Sequence, residues 1–101
     1  MTREQQAILA STPGRILQLE FLEAFHLSQS ELSKRTGIPR STLNEIIKGK
    51  RPISAETAFT LAIFFDTSPQ FWLNLQSQYD LRRVQLEKAA EIRARVRPRV
   101  A

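Results

Sequence analysis

In "PRSTLNEIIKGKR", residues 39–51, hydrogen-bond donors fall on one side of a helical repeat and aliphatic residues on the other. Leu43, Ile46 and Ile47 take the inward positions. Arg40, Ser41, Asn44 and Lys48 project outward, with Glu45 at the border. Side chains of these types do recognition chemistry. A guanidinium can bond two acceptors of one guanine, and an amide or hydroxyl can serve a mixed base edge in a groove about 12 Å wide. Lys48, Lys50 and Arg51 gather where the helix ends, a place suited to phosphate. "KGKR" alone reads as a solvated basic loop; the donor face before it is what makes the pattern specific.

A helix with a half-polar face must be held off the domain body by its neighbour. "SQSE", residues 28–31, is a capping box that starts a helix only two turns long, and Gly37 supplies its left-handed end. Pro39 suits the first turn of the next helix, which runs to about Lys48 before Gly49. Ser33, small, lets the two helices cross closely, and Leu43 plugs the crossing from the far side. These spacings are the requirements of a helix-turn-helix. Outside it, "TPGRILQLEFLEAF" sets Leu17, Phe21 and Phe25 on one stripe of a first helix. "SAETAFTLAIFFD" is apolar nearly all round, with Ala58, Leu61, Ala62 and Phe65 on one face. "TSPQFWLNLQSQY" opens with a Ser68 cap and returns Phe71, Trp72, Leu75 and Tyr79 to one side, and its pattern extends through Leu81 and Val84. No stretch alternates with period two, so the expected fold is all-α, with five helices.

Composition narrows the function. At 101 residues the chain holds one core and little room for an elaborate cleft. A formal net charge of +5 favours polyanionic partners, nucleic acid first. Without cysteine, and with His26 the only histidine, structural zinc and disulfides are excluded, and neither metal nor cofactor is expected. A small nuclease would need a cluster of His, Asp or Glu that the sequence does not display, so no enzyme is expected. Asp66 and Asp80 are too far apart in sequence to argue a carboxylate pair. No signal peptide or membrane span is legible, which makes the cytoplasm the expected location and a membrane an unexpected partner.

From about residue 12 to 82 the chain resembles the Xre-type, lambda-repressor-like helix-turn-helix, and within it the HigA-type antitoxins. "TPGRIL" and "EFL" match that family's "HPGEIL" and "EFL", with Thr12 where histidine is frequent. "DTSPQFWLNLQ", residues 66–76, nearly reproduces its "GTSPEFWLNLQ". The resemblance implies a homodimer that binds operator DNA, represses its own operon and neutralises a HigB-type toxin that cleaves messenger RNA. It places Arg40, Ser41 and Asn44 on the base-reading face and Gln29 at a phosphate; Thr42 joins Lys48, Lys50 and Arg51 among the phosphate-binding candidates. Ser33 departs from the usual alanine, with a small loss of stability expected. Glu45 needs either a cytosine or Arg40 as its partner. Two other readings stay open: a stand-alone Xre-type regulator with no toxin, and an interaction module that no longer binds DNA.

The apolar residues of the last two helices exceed what one small core can bury. Phe59, Ile63, Trp72, Tyr79, Leu81 and Val84 are therefore expected at a dimer interface, Trp72 having core burial as its alternative. His26, at a helix end, is expected to cap carbonyls. The expected division is a polar leader over residues 1–11, the DNA-binding domain with its dimerising helices over 12–86, and a basic, disordered tail over 87–101.

Overall fold

The computed structural model describes residues 2, 3 and 12–100, so the expected leader lies almost wholly outside the described residues. Between residues 12 and 100 the chain is helical without strands. It forms α1 (Pro13–Ile16, running into a π-helical Leu17–Leu22), α2 (Gln29–Thr36), α3 (Arg40–Ile47), α4 (Ala55–Phe65), α5 (Pro69–Glu87) and α6 (Ala89–Arg95). The all-α expectation holds. The count of five does not, because the basic stretch after Lys88 carries a helix of its own.

Local chemistry sets most of the boundaries. Thr12, Ser28, Ser54 and Ser68 each accept, through the side-chain hydroxyl, the amide three residues on, at 3.0–3.2 Å. Gly37 (φ 79°) closes α2 in the left-handed region, and Gly49 (φ 75°) follows α3. Asp66 takes the same conformation after α4, where a short polar side chain tolerates it. Pro39 stands just outside α3 as its N-cap residue, and Pro69 occupies the first turn of α5.

The first helix departs from a 3.6-residue repeat. Glu23 donates to the Gln18 carbonyl at 2.9 Å and Leu27 to that of Leu22 at 2.8 Å, each five residues back. This wider winding turns Leu17 and Leu22 together into the core, both essentially fully buried. The expected stripe of Leu17, Phe21 and Phe25 is broken: Phe21 is half-buried and Phe25 is 59% exposed.

Leu17, Leu22, Leu32, Leu43, Ile46 and Leu61 pack with Trp72 in one core. Trp72 is fully buried and donates its indole N–H to the Thr67 hydroxyl at 2.8 Å. The Phe21 ring lies 4.7 Å from Trp72 and 4.8 Å from Phe65 between centroids, so aromatic contact joins α1, α4 and α5. Trp72 therefore belongs to the core and offers no surface to a second protomer, which corrects its place among the dimer candidates. Phe59 and Ile63, four residues apart on the outer side of α4, are 60% and 71% exposed. Leu81 and Val84 are exposed as well, and Tyr79 is half-buried.

α5 packs against α4 and the start of α1; at 19 residues it is about 28 Å long, and beyond Tyr79 most of its residues are exposed. α6 follows after a break at Lys88 (φ −131°), and its Ala89 and Ile92 are half-buried.

Candidate nucleic-acid interface

α3 is amphipathic as its sequence requires. Leu43 and Ile46 are buried and anchor it, while Arg40, Ser41, Lys48 and the loop residues Lys50 and Arg51 are exposed. The base-reading candidates Arg40, Ser41 and Asn44 thus share one helix, which its own aliphatic side holds against the body. Asn44 is half-buried, and its side-chain N–H donates to the Gln29 side-chain oxygen at 3.4 Å. Two residues expected in different roles, base reading and phosphate contact, form one unit across the α2–α3 angle. The long bond leaves Asn44's oxygen and its other N–H free to serve a base edge.

The turn is tied by bonds that residue types alone did not announce. The Ser33 hydroxyl donates to the Ile38 carbonyl at 2.6 Å, binding α2 to the segment that leads into α3. The Thr36 hydroxyl donates to the Leu32 carbonyl at 2.6 Å and accepts the Ile38 amide at 3.2 Å. Ser33 is thus more than a tolerated small residue, since its hydroxyl satisfies a carbonyl that alanine would leave without this partner.

Glu45 pairs with Arg51, Nε to Oε2 at 2.7 Å, rather than with Arg40. Both side chains are about half exposed, so the pair orients Arg51 without holding it strongly. Lys50 and Arg51 line a cleft of about 250 Å³ shared with Tyr79, Asp80 and Arg83 of α5 and with Thr12–Gly14. Lys48 lies on the other side of the loop, in a groove it shares with Arg15, Gln18 and Glu23. The phosphate candidates therefore flank the end of α3 on two sides. Thr42 is half-buried and lines a separate cleft with Pro39, Glu56 and Thr57, where an acid replaces the cations of the loop.

Two positioning residues escaped the sequence reading. Gly14 is buried where α1 meets α3: a Cβ there would lie 2.6 Å from the Ile46 carbonyl carbon, 2.7 Å from Ile47 Cα, and nearer still to the Ile46 carbonyl oxygen. Glycine lets the first helix touch the backbone of the reading helix. Gln76 of α5 accepts the Ile53 amide at 2.9 Å and donates to Asp80 at 2.9 Å, fixing the loop that links α3 to α4. Gly14 could have been suspected from a glycine inside a helical pattern; Gln76 ends the "DTSPQFWLNLQ" stretch, but its bond to Ile53, 23 residues away, is not legible from residue type. His26 is exposed with φ 56° and donates its amide to the Glu23 carbonyl at 3.2 Å, so its backbone, rather than its imidazole, ends the first helix. Among the described residues no group of three His, Cys, Asp or Glu could hold a metal ion, and no helix is long and apolar enough to cross a membrane.

A short helix closed by a left-handed glycine, a tight turn and a second helix with an exposed donor face define a helix-turn-helix protein, a binding module rather than an enzyme. The chain belongs to the Helix-turn-helix family, which it matches over residues 19–72. It is 42% identical over 81 residues to an uncharacterized HTH-type transcriptional regulator of Haemophilus influenzae, covering 80% of this chain and 71% of that one. Among solved structures it is similar to the Pseudomonas aeruginosa antitoxin HigA with the higBA promoter, at 38% identity and a TM-score of 0.83, covering 88% of this chain and 97% of that one. The antitoxin GraA in complex with its operator is also similar, at 38% identity and a TM-score of 0.84, with 89% and 91% covered.

Proposed function

We propose that the protein is a dimeric, operator-binding repressor that serves as the antitoxin of a toxin–antitoxin pair. The observation that carries this reading is α3, whose buried Leu43 and Ile46 hold an outward face of Arg40, Ser41 and Asn44 clear of the body. Likeness to antitoxins solved with promoter or operator DNA, over nearly the whole chain, supports it. In this reading Arg40 bonds guanine O6 and N7, Asn44 reads its base while buttressed by Gln29, and Lys48, Lys50 and Arg51 bond phosphates. Two copies, joined through Phe59, Ile63, Tyr79, Leu81 and Val84, set their α3 helices one DNA turn apart, about 34 Å.

The two kinds of contact separate by mutation. Arg40→Ala is expected to lose about 1–3 kcal/mol on the operator and to relax preference at one base position. Lys50→Ala with Arg51→Ala is expected to weaken operator and random duplex alike. Titrations of both DNAs at several salt concentrations decide the assignment. Operator preference surviving Arg40→Ala but erased by the loop changes would overturn it.

The toxin is proposed to be a HigB-type messenger-RNA-cleaving protein encoded beside this chain. Co-expression tests it: the neighbour alone should arrest growth and this chain should restore it. The second reading, a stand-alone regulator, is favoured by the Haemophilus influenzae relative, which is described only as a transcriptional regulator. A harmless neighbour together with intact operator binding would select it.

A further inference from the structure

The cations are not spread evenly along the chain. Eight Lys and Arg balance eight Asp and Glu in residues 1–81, whereas seven face two in residues 82–101, so the whole formal charge of +5 resides in the last twenty residues. Within that balanced stretch the helix-turn-helix, residues 28–51, carries six Lys and Arg against two acids, so the last twenty residues are a second concentration of positive charge. Arg93, Arg95, Arg97 and Arg99 follow the last acid, Glu91, and are exposed. The ion pairs among the described residues are Glu45–Arg51 and Arg83–Glu87, so these four guanidinium groups have no carboxylate there.

Their place in the fold gives this charge a direction. α5 carries the arm out from the cleft in which Arg83 stands with Lys50 and Arg51, the two loop cations already assigned to phosphate. Arg83 is engaged there, 5.8 Å above the Tyr79 ring and 3.8 Å from Glu87. Beyond it, Ala89 and Ile92 of α6 are half-buried, and the arginines of residues 93–99 are exposed. α6 is only seven residues long and half-buries its apolar side, which fits a polyanion better than a bilayer interior.

We propose that the C-terminal arm, residues 88–100, is a second DNA contact: a sequence-independent phosphate grip that continues the edge begun by Lys50, Arg51 and Arg83. This rests on the DNA-binding reading above. α3 then supplies discrimination, the loop cations beside it a first hold on phosphate, and the arm a further share of the attraction and of its sensitivity to salt.

The full-length chain with Arg93, Arg95, Arg97 and Arg99 all changed to glutamine tests the proposal beside the same four changed to lysine. Each is titrated with operator and with random duplex between 50 and 200 mM salt, and light scattering records its oligomeric state. One lost phosphate contact per arm in a dimer lowers the salt slope by about 1.8. Wild type is then expected to lose at least about twelvefold more affinity over that range than the glutamine variant, on both DNAs. The lysine variant, which keeps the charge, is expected to retain the wild-type slope. A glutamine variant with the wild-type slope overturns the arm's role while leaving operator binding by α3 intact. A slope that falls only because the glutamine variant becomes monomeric also overturns it. Wild-type protein that binds no operator at all refutes the DNA-binding reading itself, a result distinct from the other two.

Discussion

Gly14→Ala sets two physical effects against each other. On helix propensity alone, replacing glycine by alanine inside a helix stabilises by about 0.5–1 kcal/mol. The structure predicts the opposite sign. The new methyl would stand 2.6 Å from the Ile46 carbonyl carbon and 2.7 Å from Ile47 Cα, whereas ordinary contact begins near 3.4 Å, so α1 and α3 would have to part by about 0.8 Å or more. The obstructing atoms are backbone, which cannot swing aside as a side chain can. Overpacking of this kind costs about 1–3 kcal/mol, enough to cancel the propensity gain and leave a net loss. A net loss of about 1 kcal/mol, at about 4–8 °C per kcal/mol for a domain of this size, lowers the melting temperature by several degrees in calorimetry or circular dichroism. Operator affinity should fall too, because the displaced element is the reading helix. A variant that melts higher than wild type by the propensity increment and binds operator normally would refute the close approach of α1 to α3.

Three further outcomes follow from the same geometry. Ser33→Ala should destabilise by about 1 kcal/mol in denaturant unfolding, since it strips the Ile38 carbonyl of its 2.6 Å donor; an unchanged or raised midpoint would mean that this bond contributes nothing. Glu45→Gln should tighten binding to operator and random DNA alike and steepen the salt slope by up to about 0.9 per subunit, because it frees Arg51 and removes a negative charge beside the phosphates; weaker binding would show the pair to be a needed orienting device. Leu81→Asp with Val84→Asp should yield monomers in light scattering at micromolar concentration, and a dimer that persists would move the interface elsewhere, with Phe59 and Ile63 next to test.

Where structure follows from neighbours in sequence, the sequence was enough. The caps at Ser28 and Ser68, the left-handed Gly37 and the inward Leu43 and Ile46 all depend on a few adjacent residues, and the turn of the motif could be drawn from them. The π-helical Leu17–Leu22 could not, because exchanging a four-residue for a five-residue hydrogen bond leaves no trace in residue type. A 3.6-residue repeat therefore points Phe25 inward although it is exposed, while the burial of Trp72 depends on Phe21 and Phe65, which only the folded chain brings against it. The Gly14 approach, the Gln76–Ile53 bond and the Glu45–Arg51 pair join residues distant in sequence or across a turn, and only the folded chain brings them together. The basic character of the tail points to disorder, yet "AAEIRAR" within it consists largely of strong helix formers and is helical.

The widened turn in the first helix sets where that segment can change length. Each residue removed from an ordinary helix rotates everything beyond it by about 100°. Between Leu17 and Leu22 the winding has absorbed one residue so that both leucines face inward while the chain still arrives at Ser28 to begin the motif. A one-residue deletion within the widened turn would restore standard hydrogen bonding and leave the entry to α2 close to its present direction. The same deletion in α3, where the winding is regular, would turn its outward donors by about 100° and bring aliphatic residues to the face that reads DNA.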